Sequence, residues 1–311
     1  MRPCPLSFSQ WPLYLTAASI NPVRMKKLLL AVLFLPVLAS AQNFHFATRL
    51  GFMGYHGDVK PASKILSQLN FTGSLGARYD LTERLAGRGF FTLGKLRGDD
   101  AKSKEAARRA RNLNFTSSFW ELELGAQYSL LSLNERWWTP YVFGGISMYH
   151  VNPYTTFNDQ KVFLYPLSTE GQGFVPGVPL HKRTRFSIPL GVGAHYALGE
   201  DTRVGVEAGY RILFTDYLDD VSGSYVDEAT LRTARGQQAV DVAFRTDELN
   251  AAATYPTAKT VRGDGKKNVD GIYYISLTFS LRYWFDKYKQ TAGLPGGGRE
   301  KKVGCPGSRV R

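Results

Sequence analysis

Four carboxylates crowd the stretch FTDYLDDVSGSYVD at 214–227: Asp216, Asp219, Asp220 and Asp227. Oxygen-rich loops hold calcium, which makes these four weak metal candidates, but the D-x-[DN]-x-[DN]-G spacing of an EF-hand is absent. The competing reading is that they cap turns and pair with arginine where a strand leaves a membrane. Hydrolytic chemistry would need a nucleophilic serine beside a histidine with an orienting acid. The histidines after residue 42 are His45, His56, His150, His181 and His195, and none has a serine two residues away. No strand face therefore sets the two side by side, and pairs across strands are not visible in a sequence. Cys4 and Cys305 are the two cysteines, and a disulfide framework or a cysteine metal site needs more. The reading is a non-enzymatic chain with no catalytic residues, no cofactor and no dedicated metal site.

Charge with a regular address is more informative. Arg49, Arg78, Arg88, Glu121, Glu123, Glu207, Arg211 and Arg282 all fall on the polar side of segments that alternate in polarity. From Arg185, one side carries Phe186, Ile188, Leu190, Val192, Ala194 and Tyr196; the other carries Ser187, Pro189, Gly191, Gly193 and His195. Tyr273, Ile275, Leu277, Phe279 and Leu281 likewise oppose Tyr274, Ser276, Thr278, Ser280 and Arg282. Period two over such lengths means strands with one apolar and one polar face. Eight segments read this way: 43–55, 69–80, 84–97, 114–130, 137–150, 184–198, 202–217 and 269–285. Three connections are short (DLTE, LSLNER, GED), and the four near 56–68, 98–113, 151–183 and 218–268 are long.

An even set of long strands, with short turns on one side and long loops on the other, is the pattern of an outer-membrane barrel. The expected fold is all-β, an eight-stranded antiparallel transmembrane β-barrel with long extracellular loops, some of them helical. RGDDAKSKEAARRAR at 97–111 has helical composition. So has DEATLRTARGQQAVDVAFRTDEL at 227–249, which Gly236 interrupts and where alternation around Val240–Phe244 leaves a strand extension open. The phrases GARYDL, GAQYSL and GAHYAL close the second, fourth and sixth segments, with a looser copy in Ser280–Tyr283. Tyr79, Tyr128, Tyr196 and Tyr283 then form a periplasmic aromatic girdle, where an amphipathic ring suits the membrane–water boundary. The eight charged residues face a lumen too narrow to leave ions alone, so they form an Arg–Glu network that plugs it. A gated path for a small solute is the sharper alternative, and a soluble barrel with its apolar face inward is the other.

The chain has 311 residues, 43% of them hydrophobic, and a net charge of +13. Residues 1–41 supply four of those charges with no acid and residues 287–311 a net six, so the body at 42–286 carries +3. A nucleic-acid-binding body would hold its charge centrally, and nucleic acid is not expected as a partner. MKKLLLAVLFLPVLASAQ at 25–42 reads as a charged start, a short apolar run and an A-x-A cleavage site. The expected division is an upstream extension at 1–24 from a start assigned too early, a signal peptide at 25–41, a barrel at 42–286, and a basic, Gly-rich disordered tail at 287–311.

GYHGDVKP (54–61), LYPLSTEGQG (164–173), TDYLDDVSGSYVD (215–227) and RGDGKKNVDGIYY (262–274) resemble the signatures of a Bacteroidota outer-membrane β-barrel family, mostly of unknown function. That family includes the PorG-type accessory barrel of type IX secretion. The resemblance covers most of the chain after residue 42, and the tail after Phe285 departs from it. It implies an integral outer-membrane barrel of a Gram-negative bacterium with a structural or accessory role. Its partners would be outer-membrane lipid and lipopolysaccharide, and periplasmic proteins of a secretion machinery. The alternatives are a narrow channel or small-ligand receptor, and a lipid-modifying barrel enzyme.

Overall fold

The computed structural model describes residues 44–59, 69–132, 136–199, 201–263 and 270–282. The extension, the signal segment, the basic tail, both cysteines and Tyr283 lie outside the described residues. Nine strands form in chain order: β1 Phe44–His56, β2 Asn70–Asp80, β3 Leu85–Asp99, β4 Asn114–Ser129, β5 Trp138–Phe157, β6 Gln160–Phe163, β7 Thr184–Ala197, β8 Thr202–Leu213 and β9 Gly271–Arg282. Each of eight strands pairs antiparallel with its neighbours, β1 closes on β9, and β4 pairs with β5 while β5 pairs with β7. The result is a closed eight-stranded barrel. β6 stands outside the ring.

The faces divide as alternation requires. Leu50, Leu75, Leu124, Ile146, Val192 and Leu277 are each more than 40% exposed on the outer surface. Their neighbours along the strands, among them Arg49, Ser74, Glu123, Ser147 and Ser276, are buried. No helix of the described residues is long and apolar enough to cross a membrane; the strands supply the apolar belt. A barrel solves the backbone problem in hydrocarbon by giving each amide a partner on the next strand.

β5 is longer than alternation alone marks out. It runs on to Phe157 and folds back onto β6 through Asn158 and Asp159, both at positive φ (49° and 60°), the backbone of a tight hairpin turn. Pro153 hides this extension, because proline argues against a strand interior; here Ser117 of β4 lies opposite it. Three short helices lie in the long connections: α1 Ala106–Arg111, α2 Glu228–Arg235 and α3 Gln237–Ala243, with Gly236 at φ 85° between the last two. The strand extension left open near Val240–Phe244 does not form; α3 buries Ala239, Val240, Val242 and Ala243 instead.

We predict that Leu277→Arg, at a belt position 68% exposed, lowers unfolding free energy in lipid vesicles by about 2–4 kcal/mol. Leu249→Arg, 62% exposed but on an extracellular loop, should change it by no more than about 0.5 kcal/mol. Urea titration of the reconstituted protein measures both, and equal effects would contradict the membrane assignment of the belt.

Candidate functional site

The lumen is filled in tiers. In the central tier Arg49 donates to Glu207 Oε1 and to Glu123 Oε2, each at 3.0 Å. Arg88 contacts Glu123 Oε1 at 3.0 Å through Nε and donates to both oxygens of Glu207 at 2.8 and 2.9 Å. Tyr141 and Tyr274 add phenol donors to Glu207 at 2.9 and 2.5 Å. Both arginines also lie over rings, Arg49 3.8 Å from Phe90 and Arg88 4.1 Å from Phe143. Inward glycines make room for the two tyrosines. A Cβ on Gly193 would lie 2.3 Å from the Tyr141 ring, and one on Gly209 2.5 Å from Tyr274. In the next tier Arg211 grips both oxygens of Glu121 at 2.7 and 2.8 Å, and Ser147 donates to the same carboxylate.

Of the eight charged residues singled out in the sequence, the structure thus brings six into contact as three arginines and three glutamates. Arg78 and Arg282 belong elsewhere. Arg78 contacts Asp80 at 3.0 Å, Arg203 donates to Asp80 at 3.2 Å, and His45 lies 3.2 Å from it. Arg282 is half-buried opposite His45 in the β1–β9 register. Alternation alone signals Asp80, Arg203, Tyr141 and Tyr274 as inward, but not that they complete the network. A void of about 10 Å³ remains among Arg49, Met53, Arg211 and Tyr274, about one water in size.

At the end with the short turns, Tyr128 and Tyr196 are 44% and 49% exposed and Tyr79 is half-buried. Trp138, opposite Tyr196 in register and 50% exposed, joins them.

Above the lumen the inward face turns apolar. Met53, Leu96, Phe115, Phe119, Val151 and Leu213 merge with Leu218, Val221, Leu231 and Val240 of the loops into one core. Two arginines lace the loops over it. Arg111 donates to Asp100, to the Asp58 carbonyl and to the Arg262 carbonyl. Arg262 donates to Thr169, Glu170 and the Asp220 carbonyl. Glu170 of TEGQG accepts the amides of Ser222 and Gly223 at 3.1 and 2.8 Å. Phrases far apart in the chain therefore meet in this cap.

The four acids of 214–227 serve four different places. Asp219 accepts from Tyr55, Val59 and Val221; Asp220 from Thr169; Asp216 from the Ser222 hydroxyl; Asp227 caps α2 through Thr230. Among the described residues no three His, Cys, Asp or Glu side chains gather as a metal site. Tyr55 has one phenol proton yet contacts Asp219 at 2.5 Å and Asp270 at 3.1 Å, so one carboxyl must be protonated. Burial, then the charge of Asp219, pushes Asp270 well above the usual carboxylate range. Burial also raises Asp220 to about 7 and lowers His181 to about 4. Their 3.7 Å contact is accordingly one between groups both driven toward neutrality, not a strong ion pair. His150 is hydrogen-bonded to Thr184 at 2.8 Å and stacked on Trp120, while His195 stacks on Tyr141.

A closed antiparallel barrel with a continuous apolar belt, a polar interior and long loops at one end defines a transmembrane β-barrel of the outer-membrane type. The chain belongs to the family described as "Domain of unknown function (DUF6089)", whose profile matches residues 24–239. Among solved structures it is similar to neisserial surface protein A (10% identity, TM-score 0.40, covering 77% of this chain and 97% of that one). It is also similar to OprG of Pseudomonas aeruginosa (9%, TM-score 0.35, 78% and 98%) and to the outer membrane enzyme PagL (12%, TM-score 0.29, 77% and 99%). No curated protein matches the chain significantly.

Two outcomes are expected from this geometry. Glu207→Ala strands Arg49 and Arg88 in the lumen and should cost about 3–5 kcal/mol in urea titrations, with Glu207→Gln milder because it retains acceptors. In the cap, Asp220 and Asp270 hold protons that an opened loop would release, so their stabilisation is complete below the ordinary carboxylate range and fades as pH rises through about 7. His181, held neutral, opposes this below 6.5. Amide protection factors at Leu218 and Val221 should therefore fall between about pH 6.5 and 8 while those of β1–β4 hold. Cap protection that rises over this range would contradict the assignment.

Proposed function

We propose that this protein is an integral outer-membrane barrel with a structural or accessory role, a platform for partners rather than a passage for solutes. The observation that carries the reading is the pairing of a lumen filled by mutually satisfied ions with an ordered extracellular cap built on its own apolar core. A channel needs a continuous wet path and a barrel hydrolase needs an activated nucleophile at the rim; the geometry supports neither. Ordered loops laced to one another form a rigid surface of the kind that docks a partner without first having to fold.

The outer membrane of a Gram-negative bacterium is the compartment that fits such a barrel, with lipid and lipopolysaccharide around the belt. The finer assignment, to a type IX secretion machinery in a Bacteroidota-like cell, draws on the resemblance of the loop phrases to the PorG-type barrel. The periplasmic ring of that machinery would meet the short-turn end, beside Tyr128, Trp138 and Tyr196.

Deleting the gene should reduce secretion of type IX cargo, and crosslinking in native envelopes should join the short turns near 81–84 or 198–201 to periplasmic components of that machinery. Unchanged secretion, with only the barrel itself recovered from crosslinking, would contradict the docking role.

A further inference from the structure

A groove of about 1160 Å³ opens on the extracellular rim between the loop after β6 and the loop after β8, a volume at the upper end of small-ligand sites. Its floor is unusual. Phe186 of β7 and Phe214, just past the end of β8, line it and are 65% and 63% exposed. The last register pair of these strands is Ser187 with Leu213, both buried. The two phenylalanines follow on the outward parity, so the top of the lipid-facing wall continues into the groove. Val175, Val178, Pro179 and Leu180 extend the apolar lining away from the membrane.

Charge at the mouth is placed differently. Lys182 and Lys259 line the groove, are exposed and make no ion pair among the described residues. Arg185 lies with them and spends one donor on the Lys182 carbonyl at 2.8 Å. Three acids also line the groove, and each has a partner. Glu170 accepts from two amides and Arg262, Asp216 from Ser222, and Asp227 from Thr230. The charge left free for a ligand is positive.

We propose that this groove is a lateral binding site for a phosphate-bearing lipid of the outer leaflet. An acyl chain lies along Phe186 and Phe214 and into the apolar lining, and the phosphate meets Lys182, Lys259 and the free guanidinium edge of Arg185. A soluble anion would have no use for an opening onto the hydrocarbon belt, and an annular lipid would have no use for unpaired cations above one seam of the barrel. The site depends on the barrel lying in a membrane but not on its docking role, so either can fail without the other.

The test uses the full-length protein in phosphatidylcholine vesicles doped with a photoactivatable phosphatidic acid, with crosslinked peptides mapped by mass spectrometry. Labelling should concentrate in 175–186 and 214–227, and a photoactivatable phosphatidylcholine should label the belt evenly. Lys182→Glu with Lys259→Glu should reduce the phosphatidic acid label about tenfold, the loss expected for one charge-assisted contact. Leu180→Trp, which fills the groove without changing charge, should also reduce it; circular dichroism melts matching wild type confirm that the variants fold. Excess inorganic phosphate should leave most of the label in place. Even labelling around the belt, or label insensitive to both variants, would reduce the site to ordinary annular lipid. Full competition by inorganic phosphate would make it a site for a small anion, and a co-purifying peptide filling it would make it a protein interface; each overturns the proposal.

Discussion

A strand that crosses hydrocarbon must find a partner for every backbone amide and carbonyl on neighbouring strands, because lipid offers none. Closing the sheet satisfies that demand and creates an inside. Once an inside exists, alternation forces half of all side chains into it, and an eight-stranded ring is too narrow to keep them in bulk water. What enters must be small, or must be neutralised in place. Gly193 and Gly209 do the first; the arginines and glutamates around Arg49, Arg88 and Glu207 do the second.

The same constraint lifts at the rim, and the structure changes character there. Above the lumen, inward positions such as Met53, Leu96 and Leu213 are apolar and belong to a core that the loops complete. The barrel is thus two folding problems on one set of strands. In the membrane the apolar side faces out and the interior is ionic. In the cap the arrangement is that of a water-soluble domain, with Arg111 and Arg262 binding together loops that meet only in the folded state. Opening onto both environments, the groove above Phe186 and Phe214 sits where they meet.

Much of the membrane half was legible in the sequence because its physics is local. Period-two alternation marks a strand and its two faces without reference to anything distant, and the short turns need only a few residues. Even the GARYDL phrase yields its polar position this way: Arg78, Gln127 and His195 occupy the same step of their strands and all are buried. The cap was less legible because its contacts are long-range. Nothing near Glu170 signals that its carboxylate ends on the amides of Ser222 and Gly223, or that Tyr55 will stand between Asp219 and Asp270. Helix formation around Gly236 could be read from composition, whereas the β5 extension was masked by Pro153. Within the lumen, alternation placed the charges but could not pair them: Arg78 meets Asp80 two residues away rather than a distant glutamate.

The division of faces is most directly measured by spin-label accessibility in reconstituted bilayers. Single cysteines would replace Leu75, Leu124 and Leu277 on one face and Thr92 and Ser276 on the other, in a chain whose Cys4 and Cys305 are serine. The account requires the first set to collide readily with oxygen and rarely with a water-soluble nickel chelate, and the second set to be shielded from both. Nickel collisions at Leu124 or Leu277 as frequent as at exposed loop position Leu249 would show that the belt meets water, and the membrane barrel would be wrong.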